Sequence, residues 1–240
     1  MNDFPQWIDH LLAFFYGLFL PWYSQRRNPQ GFNGKIFNTE EKKLIYRSGS
    51  ISLLLIAVAI LTVWYLYNRP WRGLGFTAPL FSYNWIILAG LIILLYLTDS
   101  YLAVSSPGKI ERSITRWKES TPFLPENYNE FRYYLILCLS AGVFEEIIYR
   151  GFLVTYCLYF FAEMSHPEIG AVVLPAITFS TAHYYQGYRA VVKIFLFSVL
   201  FGFIFVYSGS LWVLMIIHFL IDAAGGLLTI RYLKERKTGP

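Results

Sequence analysis

Charge is what this sequence has least of. Only 15% of its 240 residues are Asp, Glu, Lys or Arg, against about a quarter in soluble domains. Cysteine is scarcer still, with two residues, Cys138 and Cys157. Both fall in one apolar stretch, where a helical rise would hold them about 28 Å apart, so they cannot pair with each other. No Cys/His spacing of a zinc site occurs, and no internal repeat or low-complexity segment is present. A cleavable signal is not expected, because Asp3 and Asp9 precede the first long apolar run and no basic leader does. Nor is there a myristoylation or prenylation signal. The formal net charge of +5 does not point to nucleic acid, because the basic residues gather in particular loops, as they do in polytopic membrane proteins.

Hydrophobicity fills the space that charge leaves. The chain is 56% hydrophobic and 20% aromatic, with a mean hydropathy of +0.44. This predicts an all-α, polytopic transmembrane helix bundle with about six to seven membrane helices, in one integral membrane domain spanning 1–240. Spans are expected at 50–67, 84–104, about 131–161, 170–186, 189–207 and 211–231. Residues 4–23 are apolar but carry Asp9 and His10, which leaves open whether they span, re-enter or lie in the interface. The organisation reads as N-terminal membrane segments 4–104, a cytoplasmic connection 105–130 containing an amphipathic surface helix, and a core at 131–232. Basic residues in 24–48, 105–132, 187–193 and the tail, against none in 162–169 or 208–210, place the C-terminus in the cytoplasm. Arg69 and Arg72 in the 68–83 loop are the dissenters.

The 131–161 span holds the feature that needs explaining: Glu145, Glu146 and Arg150 within six residues. Each charge at the centre of a bilayer helix costs about 2.5–3.5 kcal/mol on insertion scales, and such residues mark functional sites. Glu146 and Arg150 are four apart and can pair on one helix face. Glu145 points elsewhere, with only Tyr149 four residues on, so it is the free carboxylate and the candidate general base. Further along, Phe179 and His183 share a face, and so do His218 and Asp222. Each group alone has a plain structural reading, as an interhelical hydrogen bond or an ion-pair clasp. Together, on three helices at compatible depth, they point to a catalytic or ion-handling site.

The pattern Glu145-Glu146-x-x-x-Arg150-Gly151, then Phe179-x-x-x-His183, then His218-x-x-x-Asp222 resembles the CPBP family. These are the CAAX protease and bacteriocin-processing intramembrane endopeptidases, related to the Ras-converting CAAX prenyl endopeptidases. The likeness covers roughly residues 122–230. It implies a glutamate-type peptidase acting on a membrane-associated protein or peptide tail at the lipid bilayer. Glu145 and His183 would activate water, and His218 and Asp222 would orient and stabilise the oxyanion, with His218 as the donor and Asp222 holding His218 or being protonated. Glu146, Arg150, Phe179 and Tyr149 would support them. Prenyl endopeptidases end the third motif on Asn, where this chain has Asp222, as in many prokaryotic members; a prokaryotic plasma (inner) membrane is the expected location.

No cofactor is expected. The alternative is a zinc peptidase using Glu145, His183 and His218 as ligands with a water in the fourth position. A different class, a non-proteolytic carrier, immunity or scaffolding protein, would use the same polar cluster; a carrier would be expected to show inverted repeats. Serine and aspartate intramembrane chemistry is set aside, because neither Gly-x-Ser-Gly nor Gly-x-Gly-Asp occurs.

Overall fold

The computed structural model describes residues 4–27, 32 and 35–238; Asp3 and the rest of the 28–34 stretch lie outside the described residues. The described residues form eight helices and no strand. These are α1 (7–27), α2 (Thr39–Leu66), α3 (Tyr83–Val104), α4 (Pro107–Ser120), α5 (128–160), α6 (Pro167–Ala182), α7 (Tyr188–Ser208) and α8 (Trp212–Thr238). Among them α2, α3, α7 and residues 212–234 of α8 are long and apolar enough to cross a membrane, and α6 is a shorter apolar helix. The protein is an integral membrane helix bundle.

Local chemistry sets the helix limits. Asn38 caps α2 in a reciprocal box, its side chain accepting from the Glu41 amide while Glu41 accepts from the Asn38 amide. Helix therefore begins at Thr39, and residues 39–48, expected in a polar loop, extend the span. Asn127 caps α5 by accepting from the Glu130 amide. Pro107 and Pro167 open α4 and α6 at positions where a missing N–H costs nothing. The expected 170–186 span is corrected at both ends: helix starts at Pro167 and stops at Ala182. A 3₁₀ turn, Tyr184–Gln186, follows, and Gly187 at φ 89° and ψ 160° turns the chain into α7.

Two apolar cores share α5 as their common wall. Ile147, Val154 and Cys157 pack with Ala171, Phe201, Ile204, Leu211 and Met215. Ile148, Phe152 and Leu153 pack with Ala13, Ile60, Trp64 and Leu74 on the other side. The outer faces stay apolar, with Ile87, Leu94, Leu97, Leu196, Ile216 and Leu220 exposed. Exposed aromatics lie at both ends, among them Trp71, Tyr83 and Trp212 at one and Tyr101, Tyr128 and Tyr188 at the other. Bilayer-embedded helices place such residues at the two interfaces.

Residues 4–23 resolve into part of a helix that runs the height of the bundle. Near its start, buried Asp9 makes a two-pronged ion pair with Arg69 of the α2–α3 loop, at 2.8 and 2.6 Å. Near its end, Gln25 donates to the Thr181 carbonyl of α6 at 3.0 Å. Arg69 also lies against the rings of Phe4, Trp64 and Tyr67. Its charge is neutralised inside the protein, which accounts for an arginine in a loop that breaks the basic-loop pattern. At the opposite end, buried Lys42 of α2 donates to Glu126, Glu130 and the Leu124 carbonyl. This ties down the connection between α4 and α5.

Candidate active site

The polar residues meet around a cavity of about 470 Å³. Its walls include Glu145, Glu146 and Arg150 from α5, Phe179 and His183 from the end of α6, Ser198 and Phe201 from α7, and His218 and Asp222 from α8. It reaches towards Asp99, Trp117, Thr121 and Lys193, the end of the bundle that carries α4.

Around the glutamates, α5 widens into π-helical hydrogen bonding over Ala141–Glu145 and again over Ile147–Val154. Such widening is rare and concentrates at functional sites. It turns both glutamates towards α8, where His218 stands between them. His218 Nδ1 lies 2.7 Å from Glu146 Oε1. A carboxylate only accepts, so Nδ1 is the donor. His218 Nε2 faces Glu145 Oε2 at 3.8 Å and Asp222 Oδ2 at 3.6 Å. The spacing of His218 and Asp222 predicts that Asp222 orients the imidazole; in the structure the short contact belongs to Glu146. This contact crosses from α5 to α8, and no spacing within one helix signals it.

Glu146 also pairs with Arg150, Nη1 to Oε1 at 2.9 Å. The pair is nearly inaccessible, with side-chain exposures of 0% and 3%. Both of its partners converge on Oε1; Oε2 is buried without a hydrogen-bond partner. The other side of Arg150 donates to Ser198 Oγ at 3.0 Å, and the guanidinium lies between the rings of Phe179 and Phe201, at 4.8 and 5.1 Å. Sequence reasoning missed Ser198 and Phe201. A signal was available. A guanidinium has five N–H donors, one carboxylate cannot fill them, and Ser198 carries the only hydroxyl between 189 and 206.

His183 follows the last residue of α6, and its Nδ1 lies 2.8 Å from the Phe179 carbonyl. A carbonyl can only accept, so this bond places the proton on Nδ1 and leaves Nε2 as the acceptor of the neutral ring. Phe179 packs beside the imidazole with the ring planes tilted by 53° and centroids 4.7 Å apart. Tyr149, the residue one turn from Glu145, instead sets its ring edge-on against Phe179 at 4.8 Å. Among the described residues, no group of three or more His, Cys, Asp or Glu side chains is arranged to hold a metal ion. Cys138 and Cys157 are both buried and free.

No curated protein and no solved structure matches the chain. Residues 127–224 match a family model described as Rce1-like, type II CAAX prenyl endopeptidase. The matched segment runs from the Asn127 cap through Asp222, and so contains the two glutamates, Arg150, both histidines and the aspartate. Through that segment the chain is similar to the CAAX protease family.

Proposed function

We propose that this protein hydrolyses a peptide bond of a membrane-associated protein or peptide tail with a water activated by Glu145. The match over residues 127–224 supports CAAX-type intramembrane protease activity in general. The observation that carries the finer reading is the placement of His218. Its Nδ1 is anchored on Glu146, and its Nε2 is presented to Glu145 and Asp222 in the cavity that His183 also lines.

In this reading Glu145 takes a proton as the water oxygen bonds to the substrate carbonyl carbon. His183, with Nδ1 fixed on the Phe179 carbonyl, offers Nε2 as an acceptor to the same water. His218 acts as an imidazolium among the Glu146, Glu145 and Asp222 carboxylates, so that with Nδ1 given to Glu146 its Nε2 still donates to the carbonyl oxygen as it becomes an oxyanion. Collapse of the tetrahedral intermediate breaks the C–N bond, and the proton held by Glu145 passes to the departing nitrogen. Atoms balance with one water consumed and no cofactor. Glu146, Arg150 and Ser198 fix the imidazole and the widened helix.

We also place the α4 end of the bundle in the cytoplasm. Lys109, Arg112, Arg116, Lys118, Arg132, Arg189 and Lys193 lie there, and 162–169 and 208–210 at the other end have no Lys or Arg. The cavity reaches towards that end, so the scissile bond would lie in the cytoplasmic half.

The test is cleavage by the purified chain in proteoliposomes. The probes are internally quenched peptides ending in a Cys-aliphatic-aliphatic-X tail, farnesylated and unprenylated. Membrane-proteome C-termini, compared with and without a Glu145→Ala protein, would identify native substrates. Cleavage that survives Glu145→Gln, or termini that do not differ, rejects the mechanism and favours a non-proteolytic role.

A further inference from the structure

Around His218 the cavity is rich in acceptors. Glu145, Glu146 and Asp222 accept as carboxylates. Arg150 is committed to Glu146 and Ser198 and held between two rings. On the His218 side this leaves Nε2 as the one donor assigned so far, whereas oxyanion stabilisation ordinarily uses more than one preorganised donor.

A second donor stands on α3. Tyr96 lines the cavity, and its hydroxyl donates to the Ile221 carbonyl of α8 at 3.2 Å. The same hydroxyl lies 3.9 Å from where a Cβ on Gly225 would sit. Residues 218, 221, 222 and 225 are three and four apart, so they share one face of α8. Tyr96 therefore packs on the face that presents His218 and Asp222. Its present bond is an easy one to give up. Inside an α-helix the Ile221 carbonyl also has the amide four residues on, so losing the phenol does not orphan it. Of the cavity's other phenols, Tyr185 lies beside His183, 6.0 Å between ring centroids, on the opposite histidine, and Tyr134 is buried in a cluster with Tyr46 and Cys138.

We infer that Tyr96 is a catalytic hydrogen-bond donor, leaving Ile221 to join His218 Nε2 on the oxyanion. The inference rests on the peptidase reading above. It also assigns part of the active site to α3, which precedes the matched segment 127–224.

The experiment measures kcat and KM for both quenched peptides with the full chain in proteoliposomes, in the backgrounds Asp222 and Asp222→Asn. By the scale of lost oxyanion donors, Tyr96→Phe should lower kcat about a hundredfold. KM and the thermal unfolding midpoint should hardly move. In the Asp222→Asn background the amide supplies an N–H beside the same face, and the Tyr96→Phe loss should shrink to about tenfold or less. A purely structural tie between α3 and α8 predicts instead a lowered midpoint and equal losses in both backgrounds, which overturns the donor role. Wild-type kcat in Tyr96→Phe, with Glu145→Gln inactive, overturns the inference and leaves the peptidase reading standing. An inactive wild type, or an active Glu145→Gln, overturns both.

Discussion

Replacing Glu146 with Gln should damage stability and catalysis by separable routes. Glu146 Oε1 carries two charge-assisted contacts, 2.9 Å to Arg150 and 2.7 Å to His218 Nδ1. The glutamine oxygen can still accept from both, but it brings no charge. Its NH₂ would fall where Oε2 lies buried without a partner, adding donors that have no acceptor. Breaking a buried ion pair by removing one partner costs about 3–5 kcal/mol. The faces of Phe179 and Phe201 offset about 0.5–2 kcal/mol of that for the stranded guanidinium. A net loss of about 1–4.5 kcal/mol follows. It would be read as a lower unfolding midpoint in detergent and a reduced membrane yield. Activity should fall too, because His218 loses the anion that anchors Nδ1. The double variant Glu146→Gln/Arg150→Met separates the two effects. It removes the stranded cation and should recover most of the stability, since apolar replacements of buried pairs are tolerated, while kcat stays low. A Glu146→Gln protein as stable and as active as wild type would refute the reasoning. So would recovery of activity together with stability in the double variant.

The remaining predictions concern the site and the topology. Glu145→Gln should fold normally and lose peptide cleavage, because an amide cannot take the water's proton; a folded, active variant removes Glu145 from the role. His183→Ala and His218→Ala should each lower kcat by about a hundredfold or more, and Asp222→Asn should be milder. If Asp222→Asn is as inactive as Glu145→Gln while His218→Ala cleaves, the division of labour in α8 is reversed. Exhaustive chelation should leave cleavage intact, with substoichiometric zinc by elemental analysis; stoichiometric zinc, with activity lost on chelation and restored by metal, refutes this. Single cysteines at Ser165 and Lys234, in a background lacking Cys138 and Cys157, should be labelled from opposite sides of the membrane.

What could be read from the sequence was what lies within one helix. Glu146 and Arg150 meet at the spacing that suggests it, and Pro107, with the charges around Ile110–Trp117, marks α4 as expected. What could not be read depends on how helices rotate against one another. The His218–Glu146 contact joins residues 72 apart in sequence, and the π-helical widening that directs both glutamates towards α8 follows from packing rather than from propensity. The pairing of Asp9 with Arg69, and of Lys42 with Glu126 and Glu130, was hidden for the same reason. In each case a charge that looks solvated in the sequence finds its partner about 60 residues or more away in sequence.

Gly142 and Gly151 bracket the charged turn of α5, and bare backbone presses on the helix at both. A Cβ on Gly142 would come within 3.0 Å of the Phe219 amide nitrogen and 3.1 Å of the Met215 carbonyl oxygen in α8. One on Gly151 would meet the Leu74 carbonyl oxygen at 2.9 Å. Neither obstacle is a side chain that can swing aside. For a protein engineer the two positions are therefore fixed points. A single methyl at either displaces the frame that sets the glutamates against His218, though it touches no reacting group. Conversely, the outward apolar faces of α3 and α7 are where sequence can drift, provided it stays greasy. The sharpest intolerance in a saturation screen of this chain should fall on two residues with no side chain at all.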